Sequence, residues 1–315
     1  MEWDFEVVAG PLPGFPGHRN TEGPAWDGRY VLFTHIPTSR IMRFDPQTGE
    51  CTVFRENTGH ANGLAFDLEG RLYGCCSGGR SIVRFEPDGT TTTIVDKLDG
   101  VRLNTPNDLA IDLQGRIWFS NPWSEHERAL YCGPSAKQLL DHDSILRADP
   151  QPDGTWVCKR MTFDTTGTNG LLISPDQKKL YMIDRKRSPP EVQELRAYDI
   201  LDDGTLGKYI VLHLFGTNYR GRHRGVDGMC LDSEGNIVAP VGNSDSGPGP
   251  MVIIWDPKGR VLETHPMPAG FDDGGTNCTF GDPDLRTLYI TNHKGHLIRV
   301  RNIGRRGWLM WPPVR

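Results

Sequence analysis

Six segments of the sequence share one plan, and this repetition limits the possible folds more than any other feature. Each segment reads as a polar residue, a short strand, an acidic or glycine turn and a second strand. The third and fourth strands of the first copy read as RIMRFDP and ECTVFRE, and similar strands follow in later copies. Four antiparallel strands repeated about every 40–60 residues predict a β-propeller. The six segments begin at Glu22, Asn62, Asn107, Asn169, Asp227 and Asn277.

The expected fold class is therefore all-β, a six-bladed β-propeller with four-stranded antiparallel blades in one domain over residues 1–315. The sixth copy supplies three strands, so we expect FEVVA at residues 5–9 to be its fourth strand. This pairing would close the ring and remove an exposed sheet edge. Stretches with a helical period are nearly absent, and only SAKQLLDH at residues 135–142 is expected to form a helical turn or two.

The charge and the cysteine content limit the possible binding partners and the cellular compartment of the protein. A net charge of −5 and a pI near 6.1 argue against a nucleic-acid partner, which usually requires a basic face. Since no apolar run reaches the roughly 18 residues that a membrane span needs, no membrane partner is expected. The odd number of scattered cysteines and the absence of an apolar leader in MEWDFEVVAG indicate a reducing cytoplasm. The sequence does not indicate an oligomeric state.

The polar residue that begins each copy carries a side-chain oxygen in all six. Because the first strand of each blade lines the central channel, these six side chains are expected at one channel mouth. Turn-forming preference explains Asn and Asp there, but it does not explain Glu22. Such a ring suits Ca²⁺, which takes roughly 6–8 oxygen ligands. A water-filled, hydrogen-bonded mouth without an ion is the alternative. The long loops at 96–108, 121–143 and 213–227 are expected on the same face.

Six motifs together carry a family resemblance. They read EGPAW, GHANGLAFDLEGRL, RLNTPNDLAIDLQGRIWF, NGLLISPDQKKLYMID, GVDGMCLDSEGN and TNCTFGDPDLRTLYIT. From about Glu22 to Asn292 the chain resembles the SMP-30/gluconolactonase/luciferin-regenerating-enzyme family of six-bladed propellers, and it is most similar to bacterial gluconolactonases. The resemblance implies one divalent cation, usually Ca²⁺ and sometimes Zn²⁺ or another metal. The implied metal ligands are Glu22, Asn107, Asn169 and Asp227.

The resemblance also implies an activity, the metal-dependent hydrolysis of a small-molecule lactone. The cation would polarise the carbonyl, and Asp227 would act as the base for the attacking water. Alternatively, a metal-bound water would be the nucleophile and Asp227 would only orient it. Two other functions stay open, a phosphotriester or organophosphate hydrolase and a non-catalytic calcium-binding propeller, because fold alone does not fix function.

Four residues are expected to contact the substrate, and the sequence departs from the family near one of them. They are Arg102, Asn107, Asn121 and Arg224. Gluconolactonases often have an acid where this chain has Asn121, and they commonly read CEHG where it has Cys76-Ser77-Gly78. For Arg102, a role in stabilising its loop is an equal alternative. For Arg224, a solvated or salt-bridged loop is the favoured alternative.

Overall fold

The fold is known from a computed structural model, which describes residues 2–14, 18–185, 192–271 and 274–311. About half of the described residues lie in short antiparallel strands, which group into six blades of four strands. The innermost strands of neighbouring blades contact one another, so the blades surround a central channel. The prediction of a six-bladed propeller is confirmed. The short helical segments are Ile36–Thr38, Glu125–Glu127 and Arg128–Cys132.

The strands follow the blades in chain order, starting with β1 (Asp4–Ala9). Blade one contains β2 (Thr21–Trp26), β3 (Val31–His35), β4 (Arg40–Phe44) and β5 (Cys51–Arg55). Blade two contains β6 (Ala61–Phe66), β7 (Leu72–Cys76), β8 (Ser81–Phe85) and β9 (Thr91–Val95), followed by a hairpin of β10 (Lys97–Leu98) and β11 (Val101–Arg102). Blade three contains β12 (Leu109–Ile111), β13 (Ile117–Asn121), β14 (Ser144–Pro150) and β15 (Trp156–Arg160).

The second half of the chain repeats this arrangement. Blade four contains β16 (Thr168–Ile173), β17 (Lys179–Arg185), β18 (Gln193–Ile200) and β19 (Leu206–Phe215), followed by a hairpin of β20 (Thr217–Asn218) and β21 (Gly221–Arg222). Blade five contains β22 (Cys230–Asp232), β23 (Ile237–Val241), β24 (Met251–Trp255) and β25 (Val261–Pro266). Blade six contains β26 (Asn277–Gly281), β27 (Thr287–Thr291) and β28 (Leu297–Arg301), and β29 (Gly307–Trp308) follows it.

Blade six is completed by the strand nearest the start of the sequence. Strand β1 pairs antiparallel with β28, with Phe5 opposite Val300 and Val7 opposite Ile298. The predicted closure by residues 5–9 is confirmed. The predicted helical turn at residues 135–142 is wrong: these residues are turns and irregular chain, and the helical segments of this loop lie earlier, at residues 125–132.

A buried aspartate explains the turn pattern between the first two strands of a blade. In blade three, Asp112 Oδ1 accepts the backbone N–H groups of Gln114 and Arg116, each at 3.0 Å. Asp112 Oδ2 accepts Arg116 Nε at 2.6 Å and the indole of Trp118 at 2.8 Å. Gly115 has a φ of 73°, a conformation that favours glycine. The same carboxylate-centred turn occurs at Asp67 and Asp232.

The inner strands of a blade are buried on both faces because neighbouring blades pack against them. Every residue of β3 is buried, whereas the outermost strand of the same blade, β5, is partly exposed throughout. Trp118 and Trp255 are among the largest fully buried side chains. Within the described ranges, no helix is long and apolar enough to cross a membrane.

The chain beyond blade six returns beneath the channel. Strand β29 pairs with the innermost strand of blade five, where Trp308 lies opposite Leu231. Trp311 reaches the first turn of blade two, because a Cβ placed on Gly70 would lie 2.6 Å from the Trp311 ring. A cavity of about 150 Å³ remains between this tail and the inner strands. Its lining includes Leu64, Leu171, Met229, Cys230, Cys278 and Trp311.

Candidate active site

Bulges place several of the polar ring residues. In β2, β6 and β16 one extra residue interrupts the pairing with the second strand, directly after Glu22 in β2 and at Asn62 and Asn169 in the other two strands. A bulge of this kind turns a side chain away from its regular direction. Glu22, Asn62 and Asn169 therefore lie inside their strands, and Asn277 is the first residue of its strand. The expectation that the ring residue precedes the strand is right only for Asn107 and Asp227.

Glycines that follow the ring positions let adjacent blades approach closely. A Cβ on Gly170 would lie 2.4 Å from the carbonyl oxygen of Asp227 in the next blade. Gly170 instead donates its N–H to this oxygen at 3.0 Å, and Gly63 donates to Asn107 O at 2.8 Å. Backbone hydrogen bonds between adjacent blades therefore hold the ring positions close together. The glycines at this position are Gly23, Gly63, Gly170 and Gly228.

Three buried carboxyl groups gather at this mouth of the channel. Burial, followed by the charges of Asp227 and Asp108, raises the pKa of Glu22 well above its usual range. Glu22 is only 6 % exposed. Within the described chain its carboxylate accepts one hydrogen bond, from Gly23 N–H at 3.1 Å. A buried carboxylate with two acidic neighbours and so few donors lacks charge compensation.

Asp227 is compensated by cationic and amide groups. Asn169 Nδ2 donates to its Oδ1 at 2.5 Å, and Arg185 Nη2 lies 2.6 Å from the same oxygen. Arg224 Nη2 lies 3.3 Å from Oδ2, and His293 Nε2 lies 3.8 Å from it. Burial alone would raise the pKa of Asp227, but Arg185 and Arg224 outweigh that effect and lower it. Asp227 therefore stays ionised at neutral pH.

Asp108 is the third carboxyl group, and the repeat pattern did not predict it. Asn277 Nδ2 donates to Asp108 Oδ2 at 3.4 Å, which links blades three and six below the ring. Burial raises the pKa of Asp108 to about 7. Asp108 occupies the position that is glycine in four other copies, and this difference was available as a signal in the sequence.

The structure brings some predicted residues together and leaves others apart. Glu22, Asn169 and Asp227 interact electrostatically or through hydrogen bonds. Asn107 is half-buried beside Asp108, and within the described chain its side chain forms no hydrogen bond, so it is available to a ligand. Arg224 forms an ion pair with Asp227, which agrees with the favoured alternative of a salt-bridged loop, and its contact with the substrate stays a prediction.

The two remaining predicted substrate contacts differ in their surroundings. Arg102 is exposed and donates Nη2 to Gly79 O at 3.0 Å, as expected for an arginine that stabilises its loop. Asn121 is fully buried at the end of β13, and neither polar atom of its amide has a hydrogen-bond partner in the described part of the protein. A buried, unpaired amide is unusual, and both of its polar atoms are available to a polar group of a ligand. Both roles remain predictions.

The donor set fits a hard divalent cation. Glu22 and Asp227 offer carboxylate oxygens, and Asn107 and Asn169 offer amide oxygens, the ligand types that Ca²⁺ prefers. A cation at Glu22 would also supply the compensation that its buried carboxylate lacks. Among the residues that the structure describes, no three His, Cys, Asp or Glu side chains form a metal site by themselves. The predicted set does not need such a group, because half of its members are amides.

Comparison with known proteins points to one family. Residues 20–294 match the profile of the family described as SMP-30/Gluconolactonase/LRE-like region. A gluconolactonase of Zymomonas mobilis subsp. mobilis is 27% identical over 311 residues, which covers 90% of this chain and 79% of that protein. A 6-deoxy-6-sulfogluconolactonase of Pseudomonas putida is 28% identical over 282 residues, covering 87% of this chain and 83% of that protein.

A solved structure shows the same architecture. The gluconolactonase of Xanthomonas campestris superimposes with a TM-score of 0.75 at 29% sequence identity. The superposition covers 94% of this chain and 89% of that protein. The similarity therefore extends over nearly the whole chain.

Proposed function

The chain belongs to the SMP-30/gluconolactonase/LRE-like family, and from this premise we propose that it is a lactonase that requires a divalent cation. Its relatives include proteins named for the hydrolysis of a sugar lactone and of a sulfonated sugar lactone. The observation that carries the proposal is the convergence of Glu22, Asn169 and Asp227 from three blades on one buried acidic site. The substrate is a small-molecule lactone.

Glu22, Asn107, Asn169 and Asp227 would hold the cation, with Ca²⁺ preferred and Zn²⁺ or another divalent metal as the alternative. Once bound there, the cation would polarise the lactone carbonyl and stabilise the negative charge that develops on its oxygen. Support comes from the oxygen-only donor set and from the uncompensated carboxylate of Glu22.

Asp227 orients the attacking water and accepts its proton. In the reaction, the water oxygen bonds to the carbonyl carbon, the ring carbon–oxygen bond breaks, and the ring oxygen leaves as a hydroxyl group after taking up a proton. Asp227 is ionised at neutral pH because Arg185 and Arg224 lower its pKa. A low pKa makes it a weak base, so its main contribution is to position the water.

The substrate would lie against Arg102, Asn107, Asn121 and Arg224. Support is strongest for Arg224, since its guanidinium contacts Asp227. The unpaired amide of Asn121 could receive a substrate hydroxyl group. All seven cysteines are free, which supports a reducing compartment, and we assign the enzyme to the cytoplasm.

A substrate screen with a pH indicator tests this proposal. Chelated protein would be resupplied with Ca²⁺, Zn²⁺, Mn²⁺ or Fe²⁺ and offered aldonolactones, other lactones and aryl phosphotriesters. We expect lactone turnover that depends on the added cation and that Asp227→Asn reduces at least a hundredfold. The matched control, Asp153→Asn, changes an exposed carboxylate on a distant turn. Turnover of phosphotriesters alone, or of nothing with any cation, would contradict the proposal.

A further inference from the structure

Two arginines and a histidine lie above the carboxylate of Asp227, and they bear on the class of lactone that the enzyme accepts. We propose that the substrate carries an anionic group, a carboxylate, sulfonate or phosphate, and that Arg185, Arg224 and His293 bind this group. This inference rests on the proposed lactonase function and specifies its substrate.

The three side chains come from separate elements and meet at one point. Arg185 is the last residue of β17, Arg224 precedes Asp227 in the loop between blades four and five, and His293 follows β27. Arg224 Nη2 lies 2.7 Å from His293 Nε2 and donates to Gly275 O at 3.1 Å. This network fixes the position of the Arg224 guanidinium relative to the ring of oxygens.

The exposed fractions of the side chains indicate that Arg185 and His293 lie between the Asp227 carboxylate and solvent. The side chains of Arg185 and His293 are 35% and 38% exposed, whereas the side chain of Asp227 is 8% exposed. A substrate that enters from solvent therefore meets Arg185 and His293 before it reaches Asp227. These groups form a wall of the site, not its buried floor.

Arg185 has a donor without an acceptor among the residues that the structure describes. One Nη group contacts Asp227, but the Nε–H is buried and has no acceptor within the described chain. A guanidinium presents its N–H groups in a planar fork that matches the oxygens of a carboxylate, sulfonate or phosphate. An anionic substituent would bind to the accessible N–H groups of this partly exposed guanidinium.

The charge balance of the site also favours an anion. The three buried carboxyl groups Glu22, Asp108 and Asp227 carry at most one negative charge each. Two arginines together with a divalent cation would exceed that total by at least one positive charge. An excess charge in a partly desolvated site is costly, and an anionic substrate would neutralise it. A neutral sugar lactone offers only hydroxyl groups and leaves the excess in place.

The same region provides a matched control arginine. Arg220 donates to the backbone oxygens of Ser244 at 3.2 Å and Gly247 at 3.1 Å. Its guanidinium therefore holds the loop between blades four and five. Changing Arg220 to glutamine removes one positive charge, as Arg185→Gln does, without touching Asp227.

The test compares two lactones that share a ring, D-glucono-1,5-lactone and its 6-phosphate. In the wild-type enzyme with its cation resupplied, we expect the phosphorylated lactone to have about a tenfold higher kcat/KM, mostly through KM, since one charge-assisted contact has about that value. Arg185→Gln should lower this preference at least fivefold, and Arg220→Gln should keep it. Because the comparison is a ratio, a general loss of activity in Arg185→Gln cancels.

A binding measurement tests the same point without turnover. Calorimetric titration with 1,5-anhydroglucitol and its 6-phosphate, which lack the carbonyl group, would be done with and without Ca²⁺. We expect about tenfold tighter binding of the phosphate, lost in Arg185→Gln and kept in Arg220→Gln. Equal binding of both ligands to the wild type, or an unchanged preference in Arg185→Gln, overturns the inference. Absence of any lactone turnover contradicts the proposed function, and the titration then still decides whether the anion site exists.

Discussion

Replacing Asp108 by asparagine should stabilise the cation-free protein, and the gain should grow with pH. A pKa of about 7 in place of the usual 3.8 means that an ionised Asp108 costs the folded state roughly 4 kcal/mol. The folded protein retains a proton that the unfolded chain has already released. Because of this carboxyl group, the unfolding free energy of the wild-type protein falls as pH rises from about 4 to about 7.

Asparagine has nearly the same shape but no charge. It keeps an oxygen for the Leu109 N–H, which Asp108 Oδ1 now accepts at 2.9 Å. It loses the weak bond from Asn277, which costs about 1 kcal/mol at every pH. We expect the difference in unfolding free energy between Asp108→Asn and wild type to increase by about 1.2 kcal/mol per pH unit between pH 5 and 7. By pH 8 the variant should be more stable by roughly 3 kcal/mol.

Urea unfolding of the chelated proteins at pH 5, 6, 7 and 8 measures this difference. The comparison with wild type cancels the histidines, such as His35 and His293, whose lowered pKa values act in the opposite direction. Asp153→Asn is the control, because Asp153 is exposed with a lowered pKa and takes up no proton in this range. A difference that stays constant with pH would show that Asp108 is ionised in the folded protein and would refute the reasoning.

Three further changes test other parts of the structure. Glu22→Gln should abolish the rise in unfolding temperature that Ca²⁺ produces. It should also stabilise the chelated protein, because the buried carboxylate that lacks compensation becomes neutral. An unchanged response to Ca²⁺ would exclude Glu22 as a ligand. Gly170→Ala should lower the unfolding free energy by about 3 kcal/mol, since its Cβ would lie 2.4 Å from Asp227 O. The control is Gly216→Ala, whose Cβ would meet no atom within 4 Å. If denaturant unfolding showed the same loss of stability in both variants, close packing of the blades at Gly170 would be contradicted. Asp112→Ala should lower the unfolding free energy by about 3 kcal/mol in the same assay, because four donors lose their acceptor. A loss below about 1 kcal/mol would show that this turn does not depend on its carboxylate.

The repeat pattern was sufficient to predict the blades because each blade is a local structure. Each blade alternates short strands with turns that contain Asp and Gly, and such turns are encoded within five residues, as at Asp112–Arg116. Even the closure by residues 5–9 could be predicted, because a missing fourth strand leaves an unpaired edge. The helical segment at 125–132 was misplaced because it lies in a long loop without a clear period.

The candidate site was only partly predictable, for a physical reason. The ring positions repeat at matching places in each copy, so Glu22, Asn169 and Asp227 could be identified together. Arg185 belongs to no repeated position, and only the folded ring brings the end of β17 to Asp227. Asp108 could have been found as the acid that replaces a repeated glycine. Its raised pKa depends on burial and could not have been predicted from the sequence.

The joint between β1 and β28 has a consequence for synthesis on the ribosome. Strand β1 must remain unpaired until β28, almost 300 residues later in the chain, has been translated. Five finished blades would meanwhile form an open arc whose two end blades each expose an apolar sheet face. A nascent chain interrupted in this interval would present those faces to other chains, so we expect chaperone dependence to be greatest just before the final blade emerges.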